Sequence, residues 1–262
     1  MKSFSNYITE AKDAQVKPYT ICEVLRDIGP GIRFINLIRY GPPTGTDAWI
    51  KELTKVKKAF DTWFQSQGGY KMTIIDMFKK MVACPNRASW TSWSGKAYRG
   101  VPQSRTQVSK HTFTGVKTIF GREWLVAKGT YKSRYEAQSW SPDLDVAERF
   151  ARESVERGLG RDRNIPVVIE VSLGAKDTLL NPFTIKSISP FNDTETEVIR
   201  VGNSPIEATM YISADYLMDA IEDAHFKSNL PDDAIGRVAA AFVGAKGAEI
   251  LAKTDAYKTH RE

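Results

Sequence analysis

Apolar residues recur along this chain with three different rhythms. Over 44–66, "TGTDAWIKELTKVKKAFDTWFQS", Trp49, Leu53, Val56, Phe60 and Phe64 return at steps of three and four, the repeat of one helix face, with Thr46 or Asp47 placed to cap its start. "GG" at 68–69 ends that helix, and "TIIDMFKKMVA" at 73–83 reads as a second one. From about residue 90 the rhythm shortens. "KAYRGV" (96–101), "RYEAQSWS" (134–141), "IPVVIEVSL" (165–173), "TEVIRVG" (196–202) and "IEATMYIS" (206–213) are short, rich in β-branched and aromatic residues, and read as strands. One helix interrupts them, "SPDLDVAERFARESVERG", with Ser141 or Asp143 as cap and Pro142 in its first turn. After 213 the helical repeat returns in "ADYLMDAIEDAHFKS" and "PDDAIGRVAAAFVGAKGAEILAK". The order is helices, a strand-rich middle, then helices, which predicts an α+β chain with its chemistry in the middle.

Composition narrows the classes. With 262 residues and 42% hydrophobic content the chain can bury a real core. No apolar run approaches the ~20 residues of a membrane span, and the start lacks the apolar stretch of a secretory signal. Cys22 and Cys84 are the only cysteines, which fits two reduced thiols in a cytosolic setting and leaves no thiolate zinc site. His111, His225 and His260 show neither metal-ligand spacing nor a Ser-His-Asp arrangement, so no metal is expected.

Charge changes the picture further. Residues 1–90 carry 14 Lys and Arg against 8 Asp and Glu, so the net charge of +6 is essentially N-terminal. Between Asp76 and Glu123 there is no acidic residue, while Lys79, Lys80, Arg87, Lys96, Arg99, Arg105, Lys110, Lys117 and Arg122 occur. Such a stretch suits an anionic ligand, phosphate above all, although for most of these residues a solvated basic face is the simpler account.

Three pieces of the middle region carry candidate chemistry. In "YRGV", Arg99 offers a planar fork that grips phosphate bidentately, and Gly100 leaves room for a ligand to approach the backbone. In "QSWSPDLDVAERFA", strand alternation puts the Ser139 and Ser141 hydroxyls on one face and Gln138 and Trp140 on the other. In "NDTETEVIRV", Glu195 and Glu197 point the same way at the start of an apolar run. Two carboxylates so close repel unless both have partners or work. Each piece has a plainer explanation: an exposed edge arginine, a helix cap, and charges that protect a strand edge.

Taken together, Arg, then Ser-x-Ser before a helix, then Glu-x-Glu opening a strand resembles the Arg-Ser-Glu class of mono-ADP-ribosyltransferases. "YRG", "SWSPDLDVAERFA" and the block from "PVVIEVSL" to "IEATMYI" are similar to that family in order and flanks across roughly 90–213, with Trp140 in place of the usual threonine. The resemblance implies a split, two-sheet β-sandwich core that takes NAD as co-substrate without metal, flanked by N-terminal and C-terminal helices. It implies that Arg99, with Gly100, Ser139 and Ser141, contacts NAD, and that Ser139 positions the catalytic glutamate. It makes Glu197 catalytic and Glu195 the residue facing the acceptor, where glutamate goes with arginine acceptors, with Phe191 in a recognition loop ahead of the pair.

"MKSFSNYITEA" is a short amphipathic turn that resembles the capsid-targeting peptides of T-even-type tailed phages, which a prohead protease cuts after (Leu/Ile)-x-Glu, here Ile8-Thr9-Glu10. The expected organisation is therefore a cleaved tag over 1–10, a helical region over 11–89, a transferase core over 90–213 and helices over 214–262. The expected role is arginine-specific ADP-ribosylation of a host protein by an enzyme carried in the virion and released into the host cytoplasm, in contact with capsid and prohead protease beforehand. No membrane partner is expected and nucleic acid is not favoured. NAD glycohydrolase activity, or a non-catalytic DNA-binding internal virion protein, are the alternatives.

Overall fold

The computed structural model describes residues 19–27, 47–65, 72–85, 87, 92–158, 165–179, 197–231 and 234–259. The chain divides into two compact units, residues 1–88 and 89–262.

The described residues of the first unit form three helices, α1 (Ile21–Asp27), α2 (Asp47–Gln65) and α3 (Met72–Val82). Helix α1 starts at Thr20, whose hydroxyl accepts the Glu23 amide at 3.2 Å while the Glu23 carboxylate accepts the Thr20 amide at 2.8 Å. That reciprocal pairing satisfies two donors that a helix start otherwise leaves open. Leu53, Val56, Phe60 and Trp63 of α2 are buried, and the rings of Phe60 and Trp63 lie 5.3 and 5.4 Å from Phe78 of α3. Cys22 and Cys84 are joined by a disulfide, with Cα atoms 5.2 Å apart. This corrects the expectation of two separate thiols. They stand 62 positions apart in sequence, so only the packing of α1 against the end of α3 could reveal the pair.

The second unit is built on two antiparallel sheets. Its strands are β1 (Gly95–Gln103), β2 (Thr112–Ile119), β3 (Arg122–Tyr131), β4 (Ala137–Trp140), β5 (Ile165–Leu173), β6 (Thr178–Leu179), β7 (Val198–Val201) and β8 (Ile206–Ser213). Five strands form one sheet in the order β1-β5-β8-β3-β2, and three form the other in the order β4-β7-β6. The helices of this unit are α4 (Arg105–Val108), α5 (Leu144–Glu156), α6 (Ala214–Lys227), α7 (Ile235–Leu251) and α8 (Asp255–Thr259).

The large sheet is covered on both faces. Val167, Ile169, Val171, Met210, Ile212 and Leu125 point into a core shared with Leu217 and Ile221 of α6 and Val238 and Phe242 of α7. On the opposite face Val168, Tyr211 and Trp124 pack against Ala147 and Ala151 of α5. Burial on both faces explains why β5 reads as a nearly unbroken apolar run. The helices after residue 213 belong to this core and are not a separate layer. The β2–β3 hairpin was not evident in the sequence pattern. Its turn residues are Phe120 and Gly121, with φ of 51° and 73°, and the usual Asn-Gly or Asp-Gly signal of such a turn is missing.

Candidate functional site

Two of the motifs meet where β1 touches the end of β4, and Glu197, the described acid of the third, precedes β7, which pairs with β4. Strand β1 pairs with β5 along its whole length on one side, and on the other it meets the end of β4 through a single bridge between Tyr98 and Ser141. The Tyr98 amide donates to the Ser141 carbonyl at 2.7 Å, and the Ser141 amide donates back to the Tyr98 carbonyl at 2.8 Å. One residue along β1, half-buried Arg99 donates from Nη1 to the Ser139 carbonyl. Among the described residues Arg99 has no carboxylate partner, and its buried Nε–H has no hydrogen-bond partner. A guanidinium held by one carbonyl keeps its charge available to an anion.

Gly100 has a different role from the one its place after Arg99 suggested. A Cβ built there would lie 2.0 Å from the Ala147 carbonyl oxygen and 2.5 Å from the Ala151 amide. The missing side chain makes room for the backbone of α5, not for a ligand. Ser141 is also occupied structurally. It is buried, and its hydroxyl accepts the Asp143 amide at 3.0 Å in the turn that leads into α5, where Asp143 stands at the N-cap. Of the two hydroxyls, Ser139 is the exposed one.

Strand β4 pairs antiparallel with β7 in the register Ala137↔Val201, Gln138↔Arg200, Ser139↔Ile199 and Trp140↔Val198. Glu197 stands half-buried just before β7, two positions from Ile199. Strand alternation therefore puts Glu197 on the face of the small sheet that carries Ser139. Arg99, Ser139 and Glu197 come from three separate segments: the Tyr98–Ser141 bridge and the Arg99–Ser139 bond join the first two, and the β4–β7 ladder brings the start of β7 beside them. Glu195 and Phe191 lie outside the described residues, as do residues 1–10, where a cleaved tag is expected.

Four residues of the basic stretch are accounted for by ordinary contacts. Lys96 Nζ lies 3.0 Å from the Glu170 carboxylate, Arg122 lies 3.5 Å from Glu148, Arg105 stacks over Phe242 and Lys117 over Tyr211. Burial raises the Glu170 pKa, but hydrogen bonds from Lys96 and Tyr211 outweigh it and hold the carboxyl below its usual value. Burial, then the bond to Glu170, pushes the Tyr211 phenol well above its usual range.

The polar residues that sequence reasoning missed lie on the other face of the small sheet. Gln138, Arg200 and Thr178 stand side by side across β4, β7 and β6, at 0, 2 and 0% exposure. A lone charge inside "VIRV" was the available signal for Arg200. Among the described residues no group of acidic, histidine and cysteine side chains is arranged to hold a metal, and no helix is long and apolar enough to cross a membrane. Comparison with protein-family profiles, with curated proteins and with solved structures returned no match for this chain.

Proposed function

We propose that the chain is an NAD-dependent mono-ADP-ribosyltransferase acting on an arginine of a host protein, carried in a phage virion and released into the host cytoplasm. The observation that carries this reading is the convergence of Arg99, Ser139 and Glu197 from distant segments onto the junction of two antiparallel sheets. In this reading the two sheets are the halves of the split transferase core, and NAD lies in the cleft between them. Arg99 fits the diphosphate, since its only bond is to one carbonyl and no carboxylate offsets its charge among the described residues. Ser139 presents an exposed hydroxyl beside it.

The chemistry asked of these groups is substitution at the ribose C1′. The C–N bond to nicotinamide breaks, its electron pair leaves with the neutral base, and positive charge develops on the sugar. Glu197, held by the start of β7, supplies a fixed carboxylate for that charge, the kind of electrostatic term that dominates such reactions. A guanidine nitrogen of the acceptor forms the new bond and gives up a proton, for which Glu195 is the base. With water as acceptor the same first step gives NAD hydrolysis.

The decisive experiment incubates the full chain with NAD and host lysate and reads the products by mass spectrometry. Modified arginines that disappear with Glu197→Gln are expected, and unchanged NAD with unmodified protein would overturn the reading. Glu195→Gln separates transferase from glycohydrolase, because only transfer needs the guanidinium deprotonated. Packaging is tested independently: protein from mature particles starts at Ala11, and a chain starting at Met1 removes the virion part of the proposal alone.

A further inference from the structure

We infer that the buried polar row Gln138–Arg200–Thr178 sets the register of the three-stranded sheet, making Gln138 and Arg200 positioning residues for Ser139 and Glu197. The consequence for catalysis rests on the transferase reading; the structural role does not.

The small sheet needs such a device. Its strands have four, two and four residues, and apart from Ser139 every residue in them is buried. Alternation of apolar and polar positions normally fixes register, because a slip by one exposes the wrong face. Where both faces are buried, as in "VIRV" and "TL", apolar residues fit almost as well after a slip. Yet the site depends on register. A slip of two residues at ~3.4 Å each would carry Glu197 about 7 Å along the strand, and a slip of one would turn it to the opposite face.

Each member of the row is tied to a different piece of backbone. Gln138 Nε2 donates to the Tyr135 carbonyl at 2.9 Å and the Gly202 carbonyl at 3.1 Å, spanning the turns at both strands' outer ends. Arg200 Nη2 donates to the Ser204 carbonyl at 2.7 Å and to its hydroxyl at 3.2 Å, folding the β7–β8 turn back on the strand. The Thr178 hydroxyl accepts the Trp93 amide at 2.9 Å and donates to the Trp93 carbonyl at 2.6 Å, tying β6 to the segment before β1. After a slip these bonds cannot all form. Among the described residues Gln138 Oε1 and Arg200 Nη1 are both buried without a partner, an acceptor and a donor on cross-strand neighbours that a side-chain rotation can bring together.

Arg200 is a poor choice for stability. It sits at 2% exposure and forms no ion pair among the described residues. A buried charge of this kind is often replaceable by an apolar side chain with no loss of stability, and buried polar groups that do persist can serve to specify one arrangement.

The test compares wild type with Arg200→Met in the full chain by NMR of cross-strand contacts, together with melting temperature and NAD turnover. The expected result is an equal or higher melting temperature, a second set of β4–β7 contacts or broadened β4–β7 resonances, and a fall in kcat of tenfold or more. Arg200→Lys, which keeps a donor for Ser204, should restore part of the single register. If Arg200→Met does not fold, Gln138→Met removes the neutral member of the row and is read in the same way. One undisturbed set of wild-type β4–β7 contacts in whichever of these variants folds would overturn the inference. So would a failure of both to fold while Arg200→Lys remains wild-type in register and melting temperature, since the row would then be a plain stability element. A wild-type chain that does not consume NAD removes the transferase reading and leaves the register result to stand on the NMR data.

Discussion

Arg99 on β1 donates to the backbone carbonyl of Ser139 on β4, forty residues further along the chain. This bond crosses from the five-stranded sheet to the three-stranded one. It leaves the Ser139 hydroxyl uncommitted to Arg99 and holds the guanidinium where the sheets meet. The same junction receives the start of β7 and with it Glu197.

Glu197→Gln keeps the size of the side chain and removes its charge. NAD hydrolysis and transfer should both fall on the order of 10²–10³-fold, with a far-ultraviolet spectrum and melting temperature like wild type. Turnover within a few-fold of wild type would exclude Glu197 as the charge stabiliser.

Arg99→Lys keeps a positive charge but loses the fork that can hold a carbonyl and a phosphate at once. NAD should bind roughly tenfold more weakly, about 1.4 kcal/mol. Calorimetric titration decides, and an unaltered affinity would move the phosphate contact elsewhere.

Gly100→Ala distinguishes helix packing from ligand approach. The new methyl would meet the Ala147 carbonyl oxygen at 2.0 Å, so α5 must shift or the strand must distort. A loss of about 1–3 kcal/mol is expected, seen as a melting temperature lower by several degrees, with NAD affinity little changed in the folded fraction. Normal stability with weakened NAD binding would return Gly100 to the ligand.

His111 gives the second unit an acid sensitivity. Burial holds its pKa below the usual value, and its Nε2 lies 2.8 Å from the Gln103 amide oxygen, which requires Nε2–H as donor. The folded chain thus binds a proton here less readily than the unfolded chain. The stabilising contribution is full above about pH 6.5 and is lost as the pH falls through the folded-state value. Melting curves between pH 7.5 and 5 should decline less steeply for His111→Gln, and parallel curves would show that His111 binds its proton equally well in the folded and unfolded chain.

Reduction should act on the first unit alone. The Cys22–Cys84 bridge spans a sequence separation of 62 residues. In the chain-entropy account such a closure contributes about 4 kcal/mol by restricting the unfolded chain. Hydrogen exchange in α1–α3 should speed up in reductant or in Cys84→Ser, while exchange in β5 and β8 stays as it was. Equal protection of α1–α3 with and without reductant would show that helix packing suffices.

Local pattern along the chain already carries a good part of this fold. The three- and four-residue repeat specified α2 and α3, and β5 and β8 occupy the residues their apolar runs mark out, because local periodicity reports directly which side of an element is buried. It also nominated Arg99, Ser139 and Glu197, and strand alternation sorted Ser139 from Gln138. What it could not contain is pairing between distant segments. The β2–β3 hairpin hid behind a Phe-Gly turn, the disulfide joins residues at opposite ends of the first unit, and Gly100 serves a helix that begins 44 positions later, at Leu144. Arg200 shows the limit most clearly. One residue inside an apolar run says nothing of Gln138 and Thr178, and only the register of three short strands places those side chains in one buried row. Periodicity is a property of neighbours along the chain, whereas register is decided by which contacts across the fold can all be made at once.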